Sequence, residues 1–218
     1  LHGIPIGPIA FNDETDTSAD CSVLEIIDQD KYIDECTEPR SEDSLQARSF
    51  DLALEEEDFT WALMAPMTKA AVRGMDVIQD FLQQRYLWRS VAKEFVLTGH
   101  SKRGHIVWLA AALDNRVVGV APVSYDLLNI AEQIALQDAS WPDRSQEQDA
   151  NEEFDLYTRY KTALGQELIA DLDPYAYRER LTIPGLILVG TGDPYSCSDA
   201  VNLYFNELPG DTGFVYAP

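Results

Sequence analysis

Short apolar runs alternate with segments of helical spacing along most of the chain after residue 61. Apolar side chains recur every three or four positions over residues 66–89, which predicts an amphipathic helix. An uninterrupted apolar run at 94–98 predicts a buried parallel strand. Helical spacing returns over 102–113, and a second apolar run follows at 117–122. This order of strand, helix and strand predicts a βαβ unit with a right-handed crossover.

The same alternation continues toward residue 218. The further predicted elements are a helix at 127–137, a loop at 138–153, a helical segment at 154–169, a strand at 183–190, a helix at 198–208 and a strand opening at 214–216. Residues 127–181 thus form an insertion between two strands, of the kind that caps an active site. The repeated order predicts an α/β fold with a mostly parallel sheet flanked by helices.

Residues 1–60 follow neither pattern. Acidic runs such as 55–58 alternate there with short apolar patches, and no series of strands is visible. We interpret this part as an irregular acidic N-terminal segment of loops and short elements. The organised domain is then expected over residues 61–218.

Charge excludes some classes of partner. The net charge is −22, with 45 % apolar and 25 % charged residues, which is the balance of a globular protein with an acidic surface. Such a field repels phosphate backbones and anionic lipids, so we expect no nucleic-acid partner and no membrane-surface binding. No apolar run approaches the roughly 20 residues of a membrane span.

The cysteines predict no metal centre. Three are present, and none forms a Cys-x-x-Cys pair or lies in a Cys/His cluster. Cys21 and Cys36 bracket a short acidic loop and could form a disulfide if the protein is exported. We expect neither a metal nor another cofactor.

Ser101 lies between the first predicted strand and its helix. Gly99 stands two positions before it, but Arg103 occupies the second position after it, and Gly104 comes one later. A tight strand-to-helix turn of this kind projects a nucleophilic Ser beyond the sheet in the pattern G-x-S-x-G. The alternative is a Ser that merely caps the helix. The strand before and the helix after favour the nucleophile.

Two cations begin the following helix. The backbone N–H of Lys102 is predicted to form half of an oxyanion hole. Arg103 either binds an acid group of the substrate or pairs with Asp126. A surface role for both cations, held by carboxylates of this acidic chain, is equally open.

Carboxylates follow the two later strands. Asp193 comes just past the strand at 183–190, where an acid would orient the catalytic His. Asp126 follows the intervening strand and is the second candidate, whereas Asp199 falls within a predicted helix. An Asp-Pro turn or a helix cap is the alternative for Asp193.

None of the three histidines is well placed as the base. His2 lies outside any predicted element, and His105 comes one helical turn after Ser101. His100 adjoins Ser101, so its ring should point away from the Ser oxygen, and it is kept as an accessory candidate. We therefore expect the base beyond Pro218, in a domain recorded without its early strands and its C-terminal end.

Several stretches resemble the PhoPQ-activated pathogenicity-related protein family, which includes secreted proteins of the autocrine proliferation repressor type. They are residues 65–73, 94–104, 108–111, 114–120, 128–129, 173–174, 177–181 and 208–210. The resemblance covers roughly residues 61–218, and its most specific part is Ser-Lys-Arg-Gly at 101–104 followed by Trp108. His100 and His105 depart from the family pattern, which has a small residue and a Trp there.

The resemblance implies an α/β-hydrolase fold within a longer, usually exported protein, with Ser101 as nucleophile and Asp193 as acid. We therefore predict a serine hydrolase that cleaves ester or amide bonds of a small molecule or peptide through an acyl-enzyme. The recorded chain alone should be inactive. The alternative is a secreted signalling or binding protein on the same scaffold, without turnover and with a cell-surface partner.

Overall fold

The computed structural model describes residues 42–86 and 92–218. Contacts group them into two compact units, one of residues 42–66 and 145–172 and the other of the remaining described residues. These boundaries differ from those of the predicted segments 1–60 and 127–181. Cys21 and Cys36 lie outside the described residues, so their pairing stays a prediction.

The larger unit contains a parallel sheet. Its strands are β1 (Phe95–His100), β2 (Val117–Val123), β3 (Gly185–Gly190) and β4 (Thr212–Ala217). They lie in the order β1-β2-β3-β4, and every neighbouring pair is parallel. All four agree with predicted strands, which confirms the predicted α/β class.

Four helical stretches accompany the sheet. They are α2 (Met64–Tyr86), α3 (Lys102–Leu113), α4 (Ile130–Ser140) and a 3-10 helix at Pro174–Arg180. The first three match predicted helices. The predicted helix at 198–208 is instead two short 3-10 pieces, Ala200–Leu203 and Phe205–Glu207. Tyr204 separates them, because its φ of −149° takes the backbone out of the helical region.

The two faces of the sheet differ. Alternate strand residues, among them Phe95, Val117 and Ile187, are buried in a core with Trp108 of α3, which packs against β1 and β2. The residues next to these along each strand face the opposite side of the sheet. Val96 is 69 % exposed, and Leu186 and Val215 are exposed as well. The burial pattern thus follows the two-residue period of a strand.

The smaller unit is helical. It contains α1 (Glu42–Glu55), α5 (Asp149–Glu152), α6 (Leu156–Arg159) and α7 (Ala163–Leu172), with short 3-10 helices at Phe59–Trp61 and Gln146–Gln148. The loops predicted for residues up to 60 are therefore wrong over 42–55, and the loop predicted at 138–153 contains helical turns. The single segment predicted at 154–169 is two helices.

A buried ion cluster explains why the sequence pattern does not predict α1. Asp51 lies on the inner side of α1 and is bonded to both Arg48 and Arg159. The Arg159 Nη2 also donates to the Asp51 carbonyl oxygen at 3.2 Å. A carboxylate in a buried position breaks the apolar stripe by which an amphipathic helix is detected.

Within residues 42–86 and 92–218, no helix is long and apolar enough to cross a membrane. The same residues contain no group of three His, Cys, Asp or Glu side chains that could hold a metal ion.

Candidate active site

Ser101 occupies the sharp turn between β1 and α3 in a backbone conformation that is rare for a residue with a side chain. Its φ is 55° and its ψ is −130°, and its side chain makes no capping hydrogen bond. The capping alternative is therefore not what the structure contains. The turn is held by the backbone, because Ser101 N–H donates to Val123 O at 2.8 Å and Gly104 N–H donates to Ser101 O at 2.7 Å. Such a conformation costs about 1–3 kcal/mol and is typical of functional sites.

Two glycines make this turn possible. A Cβ on Gly99 would lie 2.5 Å from the Arg103 carbonyl oxygen, so the strand could not approach the start of α3 so closely. A Cβ on Gly104 would lie 2.7 Å from the Cβ of Tyr125 and 3.2 Å from Gly99 O. Glycine is therefore required at the third position after Ser101, because that is where α3 meets both the strand and the segment after β2.

The carboxyl ends of the parallel strands gather the candidate residues at one edge of the sheet. His100 pairs with Val123, and Val123 pairs with Leu188, so Ser101 and the end of β3 are separated by β2 alone. Strands lie about 4.8 Å apart, which puts the β1 and β3 ends about 10 Å apart. That gap suits an imidazole placed between a Ser and an Asp. Ser124, next to Ser101 at this edge, also has a positive φ, of 49°.

Asp193 closes the turn after β3. Its Oδ1 accepts hydrogen bonds from Tyr195 N–H at 2.8 Å and from Ser196 N–H at 3.2 Å. The turn-forming alternative is thus present in the structure. It is compatible with an orienting role, because both N–H groups bond the same oxygen, Oδ1, of the carboxylate.

Asp126 is the more deeply buried carboxyl of the site. It is 1 % exposed, its Oδ1 accepts from the Tyr204 hydroxyl, and its Oδ2 has no hydrogen-bond partner among the described residues. Burial raises the pKa of Asp126 to about 6; the Tyr204 bond lowers this pKa and the charge of Asp193 raises it. The predicted pairing of Asp126 with Arg103 is not observed among the described residues, where Tyr204 is the hydrogen-bond donor to Asp126.

Tyr204 is a site residue that the sequence analysis missed. It is fully buried, and it contacts Asp126 across 78 positions of sequence. The sequence contains no local signal for this contact. In the predicted helix at 198–208, this residue would have an ordinary core position.

The remaining candidates lie around the Ser101 turn. Lys102 is the first residue of α3, and both it and Arg103 are partly buried. His100 ends β1 and is exposed. His105 is buried within α3 and stacks on Tyr125, with ring centroids 5.0 Å apart.

The parallel sheet, the βαβ unit and the strained Ser101 turn define an α/β-hydrolase-type domain. The sequence profile of the PhoPQ-activated pathogenicity-related protein family matches residues 14–218, and the chain belongs to this family. The resemblance noted in the sequence is thereby confirmed.

Known proteins with a partial likeness include autocrine proliferation repressor protein A of Dictyostelium discoideum. It is 29 % identical over 164 residues, covering 68 % of this chain and 29 % of that protein. The chain therefore spans under a third of that relative's length.

Two solved structures also superpose in part. The acylaminoacyl peptidase of Pyrococcus horikoshii has 16 % identity and a TM-score of 0.44, covering 65 % of this chain and 21 % of its own. The monoacylglycerol lipase of Paleococcus ferrophilus has 19 % identity and a TM-score of 0.38, covering 66 % and 63 %.

Proposed function

We propose that the whole protein containing this chain is a serine hydrolase that cleaves an ester or amide bond through an acyl-enzyme. The observation that carries the proposal is the Ser101 turn, which keeps a hydroxyl in a strained conformation at the N-terminus of α3 without using it as a cap. A merely structural Ser gains nothing from positive φ.

The proposed chemistry follows from the placement of the residues. The Ser101 Oγ forms a bond to the substrate carbonyl carbon while a base takes its proton. The bond to the leaving alcohol or amine then breaks, and the base returns the proton to that group. Water attacks the acyl-enzyme by the same proton route and regenerates Ser101.

Supporting roles are assigned to Asp193, Lys102 and a histidine. Asp193 orients the base through its carboxylate, two strands away from Ser101. The N–H of Lys102 stabilises the oxyanion with the positive end of the α3 dipole behind it. We assign the base to a histidine outside residues 1–218, as the resemblance to the family implies.

A second candidate function is a secreted signalling protein that retains the scaffold without turnover. The observation that favours it is the likeness to the Dictyostelium relative, whose name describes that protein as a repressor of autocrine proliferation. Extracellular location is part of both proposals and derives from the family resemblance. The hydrolase would have a small-molecule or peptide substrate, and the signalling protein would have a cell-surface partner. Identification of either would distinguish the two functions.

The test is labelling of the full-length protein with a fluorophosphonate probe. Wild-type protein should be labelled, and Ser101→Ala should abolish the label. Ser124→Ala is the matched control, because Ser124 directly follows the adjacent strand, as Ser101 follows β1, and also has positive φ. It should keep the label. Absence of label on folded wild-type protein would refute the hydrolase and favour the signalling protein; the 218-residue chain alone should not react.

A further inference from the structure

The segment after β2 carries a carboxyl group that the proposed mechanism does not use. Asp126 comes three residues after the end of β2, the strand that lies between β1, which Ser101 follows, and β3, which Asp193 follows. It has one hydroxyl donor, from Tyr204, and its Oδ2 is buried without a partner. A buried carboxylate oxygen with no donor is costly, whereas a neutral carboxyl in the same place is not. The geometry therefore favours the protonated form.

We propose that Asp126 is a positioning residue of the candidate site, and that its ionisation sets the basicity of the group that Asp193 orients. This inference rests on the proposed hydrolase function. It adds regulation by pH to that site.

The groups that face Asp126 support this behaviour. Tyr204 donates its hydroxyl, Asp193 adds a negative charge from the turn after β3, and Tyr216 of β4 has its pKa raised by burial first and by the charge of Asp126. Each of these is either neutral or negative. With no cation among these neighbours, ionisation of Asp126 places a second negative charge beside Asp193, and a base held there becomes harder to deprotonate.

Linkage gives the sign of the effect on stability. The pKa of Asp126 is about 6 in the folded chain, against an ordinary value of 3.8. A raised pKa contributes stability that is fully present below pH 3.8 and is lost as the pH rises through about 6. Ionisation of Asp126 therefore destabilises the fold in neutral solution.

Asp173 provides a matched control. It is buried like Asp126, and burial raises its pKa to about 6 as well. It differs in its neighbours, because it accepts N–H bonds from Asn129, Ile130 and Tyr175, and the nearby charge is that of Arg178. Asp173 thus titrates over the same range without acting on Asp193.

The experiment compares wild-type, Asp126→Asn and Asp173→Asn versions of the full-length protein. The rate of fluorophosphonate labelling and the melting temperature are measured from pH 4.5 to 8.5. Asp126→Asn should move the acid midpoint of labelling down by about half a pH unit or more, since a negative charge near the base is removed. Asp173→Asn should leave this midpoint in place.

The melting temperature gives a readout that does not depend on activity. The melting temperature of Asp126→Asn, relative to that of wild type, should rise by about 5 °C between pH 5 and pH 8. If this difference between variant and wild type is the same at both pH values, Asp126 does not titrate between them, and that part of the proposal is overturned. A midpoint that stays in place in labelled protein would overturn its positioning role, and absence of labelling in every version would overturn the hydrolase itself.

Discussion

The βαβ region from Phe95 to Val123 and the helical unit around α1 are stabilised in different ways. The former is held by parallel backbone pairing and by α3, whose residues from Gly104 to Ala112 are all buried. The latter has a carboxylate, Asp51, inside it, bonded to guanidinium groups of Arg48 and Arg159. A pattern of apolar positions can be recognised among neighbouring residues of a sequence, whereas the contact of Asp51 with Arg159 joins residues that are far apart in the chain. The elements of the βαβ region could therefore be predicted from the sequence, and α1 could not.

The largest expected effect breaks the apolar side of this comparison. Trp108→Ala empties the centre of the core, where Trp108 is 2 % exposed, and should lower the free energy of unfolding by about 3–5 kcal/mol. Urea denaturation measures this loss. Leu113→Ala on the same helix is the control, because Leu113 is exposed and should change little. Equal losses from both would mean that α3 does not pack as described.

A smaller effect is expected on the charged side. Asp51→Asn leaves Arg48 and Arg159 without their shared carboxylate and should cost about 2 kcal/mol, because both guanidinium groups keep some contact with solvent. The exposed Glu55, 3.5 Å from Arg48, serves as control, and Glu55→Gln should have no measurable effect on urea unfolding. If the two variants behaved alike, the buried cluster would not stabilise α1.

The smallest effect concerns a polar side chain of the sheet. Thr98 donates its hydroxyl to Ala121 O at 2.7 Å on the exposed face. Thr98→Val removes this bond but keeps a β-branched side chain, so the change in unfolding free energy should stay below about 1 kcal/mol. A loss of unfolding free energy as large as that of Asp51→Asn would mean that the two regions are not stabilised in different ways.

The same distinction separates what could be predicted from what could not. The predicted helix at 102–113 is found at Lys102–Leu113, and the strands and the Ser101 turn were predicted because their signals are adjacent in sequence. The Asp51–Arg159 contact joins residues 108 positions apart, and the Tyr204–Asp126 contact joins residues 78 apart. Both place polar groups where a pattern of apolar positions predicts none.

The places of the candidate residues in the fold were predictable from the sequence, but the ionisation state of Asp126 was not. Gly99, Ser101 and Asp193 follow from the order of strands and turns. The raised pKa of Asp126 depends on how deeply the fold buries it and on Tyr204 and Asp193 around it. Such quantities arise only when the chain is folded.

The strand order β1-β2-β3-β4 also bears on synthesis of the protein. Among the four described strands, each of β2, β3 and β4 pairs with the strand made before it, so this part of the sheet can grow in one direction as the chain leaves the ribosome. The Ser101 turn can form once Val123 is available to receive its N–H. Asp193 joins later, after the long connection to β3. The Ser101 turn can therefore form before Asp193 reaches the same edge of the sheet.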